Sequence, residues 1–225
     1  MDALVNGNGM MTPQSPAVPP QGTASQTSSL ADNELAAMVA LLIQARRTVL
    51  PKRLMLPGPD TDQLGMILDA AASAPDHGQL LPWRFVLVPQ AARARLGDVF
   101  GAALIERDAA ATPEQVVQAR EKALRSPLLM LVVVDGARGD PEIDLHERIV
   151  SAGCAVQNML LMATALGYGS ALTSGKALKS SGLRTLFGLS QGEHALCFVN
   201  MGTVQSRKGE RLRPVSADYL SALSP

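Results

Sequence analysis

Aromatic residues are scarce, at 3% of the chain with a single Trp. That argues against a base-stacking platform for nucleic acid. Charge of either sign is not in excess: 20 basic and 20 acidic residues give a net charge of +0. A basic footprint is therefore absent, and no nucleic-acid partner is expected. Cysteine is down to 2 residues, Cys154 and Cys197, each inside an apolar run. They read as buried thiols and exclude a disulfide framework. His77, His146 and His194 have no Cys or His at ligand spacing, so no metal is expected. A Ser-His-Asp set and a side-chain nucleophile are likewise missing. Long apolar runs are missing too. Residues 150–166 come nearest but are broken by Ser151, Gly153, Gln157 and Asn158. They read as a buried helix and not as a membrane span. Residues 1–4 lack the basic and apolar regions of a signal peptide, so the cytoplasm is the expected compartment.

What remains is an apolar chain of 225 residues, 47% hydrophobic. That suffices for one core and one domain. Residues 1–29 are rich in Gly, Pro, Ser, Gln and Thr. They cannot bury enough apolar surface to offset their ordering entropy, and read as a disordered or draped tail. The domain is expected over residues 30–225.

Leu35, Met38, Val39, Leu42 and Ile43 fall on one face of a helix that ends before Pro51. Asp60 and Gln63 have the spacing of a capping box, and residues 64–72 follow as a second helix. Residues 85–88 read as a strand buried on both faces. Residues 91–107 are helical in pattern. Thr112 followed by Pro113 opens a further helix. Residues 128–134 are the most strand-like run. A long helix is expected over 144–166, apolar on nearly all faces, with Gly167 as a left-handed cap. A short helix over 178–187 and a strand over 195–201 complete the core. The elements give an α+β fold, a central mixed sheet flanked by helices.

Three stretches carry chemistry. Residues 73–85, SAPDHGQLLPWRF, link a helix to a strand by an irregular path. Pro75 disfavours helix at Ala74, and Pro82 calls for an extended Leu81. Such a loop either connects and caps, with Trp83 buried, or binds a ligand. Arg46 and Arg47 either complement the negative end of their helix or form an anion site. Residues 167–176, GYGSALTSGK, invite two misreadings. A dinucleotide fingerprint would need Gly where Leu172 stands, and a strand before it. A phosphate loop would need four residues, not five, between Gly169 and Gly175, and Ser or Thr after Lys176. The stretch is left as a flexible or ligand-contacting loop. The basic run of residues 207–213 is either solvated surface or a second cationic element.

Taken together and in this order, these stretches resemble the FMN-dependent nitroreductase family, in its small single-domain NAD(P)H form. The matching elements are Arg46-Arg47-Thr48, Ala74-Pro75-Asp76-His77 with Pro82-Trp83, and the Gly202-Thr203 ending. Leu81 stands where the family usually has Gln, and Val204 where Pro is usual.

The resemblance implies a homodimer with FMN in the groove between subunits and the long helix at the interface. It implies FMN contacts from Arg46, Arg47 and Thr48, and from Ser73, Pro75, His77 and Gln79. It implies further contacts from Leu172, Thr173 and Ser174 at the ring edge, and from Lys208, Arg211 and Arg213 at the phosphate. The implied activity is hydride transfer from NAD(P)H through the flavin to a nitroaromatic or quinone, by a ping-pong scheme. The cofactor then carries the chemistry, which accords with the missing catalytic side chains. A flavin-binding module without NAD(P)H turnover, or an enzyme of other flavin chemistry, is the alternative.

Overall fold

The computed structural model describes residues 24–206, 209 and 212–224, with backbone alone for 24–32. It divides into two units, residues 1–41 and 42–225. The first contains most of helix α1 (Ala24–Ala45). That helix opens inside the stretch expected as a tail; residues 1–23 lie outside the described residues.

The second unit is built on strand β3 (Leu128–Asp135), whose side chains are buried from Leu128 to Val134. Strands alternate their side chains, so β3 feeds two cores. Leu128, Met130, Val132 and Val134 join one core with Ile67, Val156 and Met159. Leu129, Leu131 and Val133 join the other with Leu96, Leu183 and Phe198. Helices α2 (Thr61–Ala72) and α5 (Leu145–Ala165) cover the first face. Helices α3 (Arg93–Arg107) and α6 (Ser181–Phe187) cover the second, with α4 (Pro113–Glu121) packed on α3.

The sheet order is β1-β5-β3-β2, with β4 also on β5. Here β1 is Leu54–Met55, β2 Trp83–Leu87, β4 Gly169–Thr173 and β5 Glu193–Val204. Pairings among these strands are antiparallel. The parallel component is an isolated bridge between Thr48 and Ser170. Among the described residues no helix is long and apolar enough to cross a membrane.

Local signals read from the sequence operate as expected. Asp60 accepts from the Gln63 backbone N–H at 2.9 Å, and Gln63 returns the bond at 3.0 Å. Thr112 and Gln115 do the same ahead of α4, with Pro113 in the first position. Gly167 takes a φ of 86° where α5 ends.

Three expectations change. The strand of residues 85–88 meets both cores, through Phe85 on one face and Val86 and Val88 on the other, but its cover is thinner than expected. As β2 it lies at the sheet edge, paired among the described residues with β3, and Leu87 is 48% exposed. A continuous apolar run does not reveal that its strand will lie at a sheet edge. Residues 169–173 are not a loop but strand β4. The 12 residues of β5 supply the partner, and Gly169 permits the approach. A Cβ there would meet Val204 at 2.6 Å and Leu54 at 2.9 Å. Leu81 is not extended before Pro82: its φ is 47°. The Asp76 carboxylate accepts the Leu81 N–H at 2.6 Å and holds it there.

Candidate functional site

The helix from the N-terminal side stops at Ala45, and the chain then passes the start of β4. Val49 donates its N–H to the Ser170 carbonyl at 2.8 Å. This crossing opens a groove of about 750 Å³. Arg46, Arg47, Thr48 and Arg53 line it, together with Gly167, Tyr168 and Gly169. The C-terminal segment returns to it: Arg213 lines the groove and donates from Nη2 to the Arg46 carbonyl at 3.3 Å. The groove thus presents four arginines and, among the described lining residues, no carboxylate. In a chain of net charge +0 that is a local asymmetry. Guanidiniums are fixed cations with a planar donor fork suited to phosphate. The arrangement can hold an anionic group of a small ligand.

Arg53, Tyr168 and Ser206 were not singled out from the sequence. Arg53 lies between the first helix and the Asp60 cap, where the sequence marks no element, and only its basic character near the Arg46-Arg47 pair points to it. Tyr168 donates from its hydroxyl to Gln63 at 2.6 Å, which ties this lining residue to α2.

Ser73, Pro75, His77 and Gln79 do not line this groove. They are exposed in the loop after α2, around a turn in which Gly78 and Gln79 have φ of 67° and 52°. Helix α5 grips that loop. His77 Nδ1 lies 2.8 Å from Glu147, and Trp83 donates from Nε1 to Ser151 at 3.1 Å. Buried Arg148 braces the neighbouring turn, donating to the carbonyls of Ile143, Asp135, Arg138 and Asp140. Leu172, Thr173 and Ser174 also lie off the groove, at the far end of β4. Lys208 and Arg211 lie outside the described residues.

Strand β4 connects these places. It begins at Gly169, in the groove, and runs to Thr173. Beyond the Ser170 bridge its outer edge has no strand partner among the described residues. Backbone groups alternate between the two edges of a strand. With the Ser170 carbonyl turned outward to Val49, the N–H and C=O of Leu172 face the same open edge. The arginine-lined groove therefore continues along β4 to the outward backbone groups of Leu172.

Residues 43–203 match the Nitroreductase family. The chain belongs to the nitroreductase family. This family member is 32% identical to a Haemophilus influenzae protein named "Putative NAD(P)H nitroreductase", over 76% of this chain and 93% of that one. Its fold is that of solved structures. A nitroreductase-like protein from Bacillus cereus superposes with a TM-score of 0.71 at 20% identity, covering 82% of this chain and 95% of that one. A nitroreductase with bound FMN from Bacteroides fragilis gives a TM-score of 0.62 at 20% identity, covering 83% and 98%.

Proposed function

We propose that this chain is an FMN-dependent oxidoreductase that takes hydride from NAD(P)H and reduces a small electron-poor acceptor, a nitroaromatic or a quinone. The observation that carries the reading is the groove that gathers four arginines, with no carboxylate among its described lining residues, and from which β4 runs. FMN fits it in kind: a phosphate for the guanidiniums, a polar chain for the strand start, and a ring with hydrogen-bonding edges. FMN, when bound, supplies the two-electron chemistry. Arg46, Arg47, Arg53 and Arg213 hold the phosphate, with Lys208 and Arg211 as further candidates. Thr48 offers a hydroxyl to the ribityl chain. The Leu172 N–H and the hydroxyls of Thr173 and Ser174 meet the ring edge. NAD(P)H and acceptor use one pocket in turn, a ping-pong scheme.

Ser73, Pro75, His77 and Gln79 complete the site from the partner subunit of a homodimer. Their absence from the groove of their own chain supports this arrangement. So does the open face of α5, where Val150 is 64% exposed and the Gly153 Cα has empty space beside it. Residues 30–225 form the FMN domain, residues 1–29 are a tail outside it, and the protein works in the cytoplasm without nucleic-acid or membrane partners.

The test begins with colour. The purified protein is expected to be yellow, to bleach with NADH or NADPH without oxygen, and to recolour with a nitroaromatic or quinone. Hydrogen bonds to charged groups are worth roughly 1.5–3 kcal/mol, so Arg47→Ala and Arg213→Ala should each weaken FMN about tenfold or more. A colourless protein that takes up no FMN overturns the reading. Bound flavin that never bleaches assigns a binding module instead.

A further inference from the structure

Arg93 and Arg148 are both fully buried, and neither pairs with a carboxylate among the described residues. A guanidinium is costly to take out of water and persists inside a protein where its N–H groups are met. Main-chain carbonyls meet them here. Arg93 donates to those of Val88, Ala123, Ser126 and Pro127. Arg148, in the first turn of α5, donates from Nε to Ile143 at 2.9 Å and from Nη2 to Asp140 at 2.6 Å. Its Nη1 donates to Asp135 at 3.4 Å and to Arg138. Residues 136–144, between β3 and α5, form no helix or strand, so their carbonyls have no ladder to join. One guanidinium collects them and fixes the course of the segment.

That segment packs on the loop after α2. Gly139, at a φ of 70°, lies so close to it that a Cβ there would meet Leu80 Cδ2 at 2.5 Å. Gly78, at a φ of 67°, approaches from the other side: a Cβ there would meet Ile143 Cδ1 at 3.1 Å. The two irregular stretches thus interlock through Leu80 and Ile143, each against a glycine of the other. Gln79 lies between Gly78 and Leu80, and His77 directly precedes them. The residues of α5 around Arg148 hold the same loop directly, Glu147 at His77 and Ser151 at Trp83.

We infer that Arg148 is a positioning residue: through the segment of residues 135–143 it sets the loop that presents His77 and Gln79 to the bound ligand. This rests on the FMN reading, in which that loop completes the site of the partner subunit. The route is Arg148 to the carbonyls of the segment, the segment to Leu80 and Gly78, and these to their neighbours His77 and Gln79.

The experiment uses the full chain, titrated with FMN and followed by the visible absorption of the flavin. Amide exchange at residues 77–81 reads the loop without flavin; the Gln79 and Leu81 N–H groups are both bonded to Asp76. Arg148→Lys keeps the charge, but one nitrogen cannot serve carbonyls spread along the segment. It is expected to speed exchange in the loop, to weaken FMN roughly two- to tenfold and to shift the flavin band. Arg93→Lys is the control for lost stability alone: it breaks the same kind of bonds, and its carbonyls belong neither to the groove nor to the loop. Its flavin affinity and band are expected to match wild type. Leu80→Ala leaves Arg148 and its carbonyls in place, cuts the contact with the loop, and is expected to reproduce the effect of Arg148→Lys. The two changes combined should cost less than their sum, because they act along one route. Wild-type affinity and band in Leu80→Ala overturn the inference, and this arm decides even where Arg148→Lys does not fold. Faster loop exchange in Arg148→Lys with unchanged flavin overturns it too, as does an equal flavin change in Arg93→Lys. A wild type that binds no FMN overturns the functional reading and this inference with it. A wild type that binds FMN, with variants that bind it equally well, overturns the inference alone.

Discussion

The Glu193 carboxylate, at the start of β5, is held by three donors. Arg84 reaches it from β2 through Nε at 2.6 Å and Nη2 at 3.2 Å, and the Ser190 N–H adds a bond at 2.9 Å. The hydrogen bond from Arg84 is the main reason its pKa lies below the usual carboxylate range, and it raises that of Arg84 in turn. A depressed carboxylate stabilises the fold above its unfolded pKa. That contribution fades as pH falls through the folded value, in the acid range below an ordinary Glu. The Arg84 side chain is 43% exposed, so solvent screens the pair. Glu193→Gln is expected to cost about 1 kcal/mol at pH 7. In urea unfolding, the gap from wild type should close as pH is lowered toward 3; a gap that stays constant with pH refutes the assignment.

At the scale of elements, the loop between α2 and β2 is held against its own preference. Gln79 and Leu81 have φ of 52° and 47°, where a side chain is strained. Such conformations persist when their surroundings over-determine them. Here the surroundings are the Asp76 carboxylate on the Leu81 N–H, the His77–Glu147 pair and the Trp83–Ser151 bond. Opposite signs are expected at the two ends of the Asp76–Leu81 bond. Leu81→Gly relieves strain at an exposed position and should raise stability by up to about 1 kcal/mol. Asp76→Ala removes the tie and should cost about 1–2 kcal/mol. Thermal unfolding of both variants decides; destabilisation by Leu81→Gly would show that no strain is stored there.

At the scale of the whole molecule, the site as proposed is shared between two chains, and apolar residues stand exposed on the surface. Leu172 is 46% exposed, and in the C-terminal segment Tyr219 is 73% and Leu220 75% exposed. A ligand that binds only the dimer strengthens the dimer by mass action. Dilution is therefore expected to release FMN in step with dissociation, and added FMN to raise the apparent dimer affinity. Analytical ultracentrifugation with flavin absorbance checks this. A monomer that keeps its full FMN refutes the shared site.

How much of this was legible in the chain depends on how local each cause is. The caps at Asp60 and Thr112, the stop at Gly167 and the central strand of residues 128–134 follow from neighbours within a few residues. The sequence by itself therefore determined where those elements begin and end. It also determined the order of motifs that marks the family, and the basic pairs at both ends of the domain. What it could not determine is set by partners far along the chain. Strand β4 exists because β5 is long enough to pair it and Gly169 lets it close in. Leu81 is left-handed because a carboxylate five residues away in sequence captures its N–H. Arg93 and Arg148 carry no local mark of burial, yet each is 1% exposed, satisfied by backbone carbonyls that only the folded turns bring together. Asn200 lies in a run read simply as a strand. Only the tertiary structure, by bringing Ser126 and Thr173 within hydrogen-bond distance of it, gives its buried amide partners.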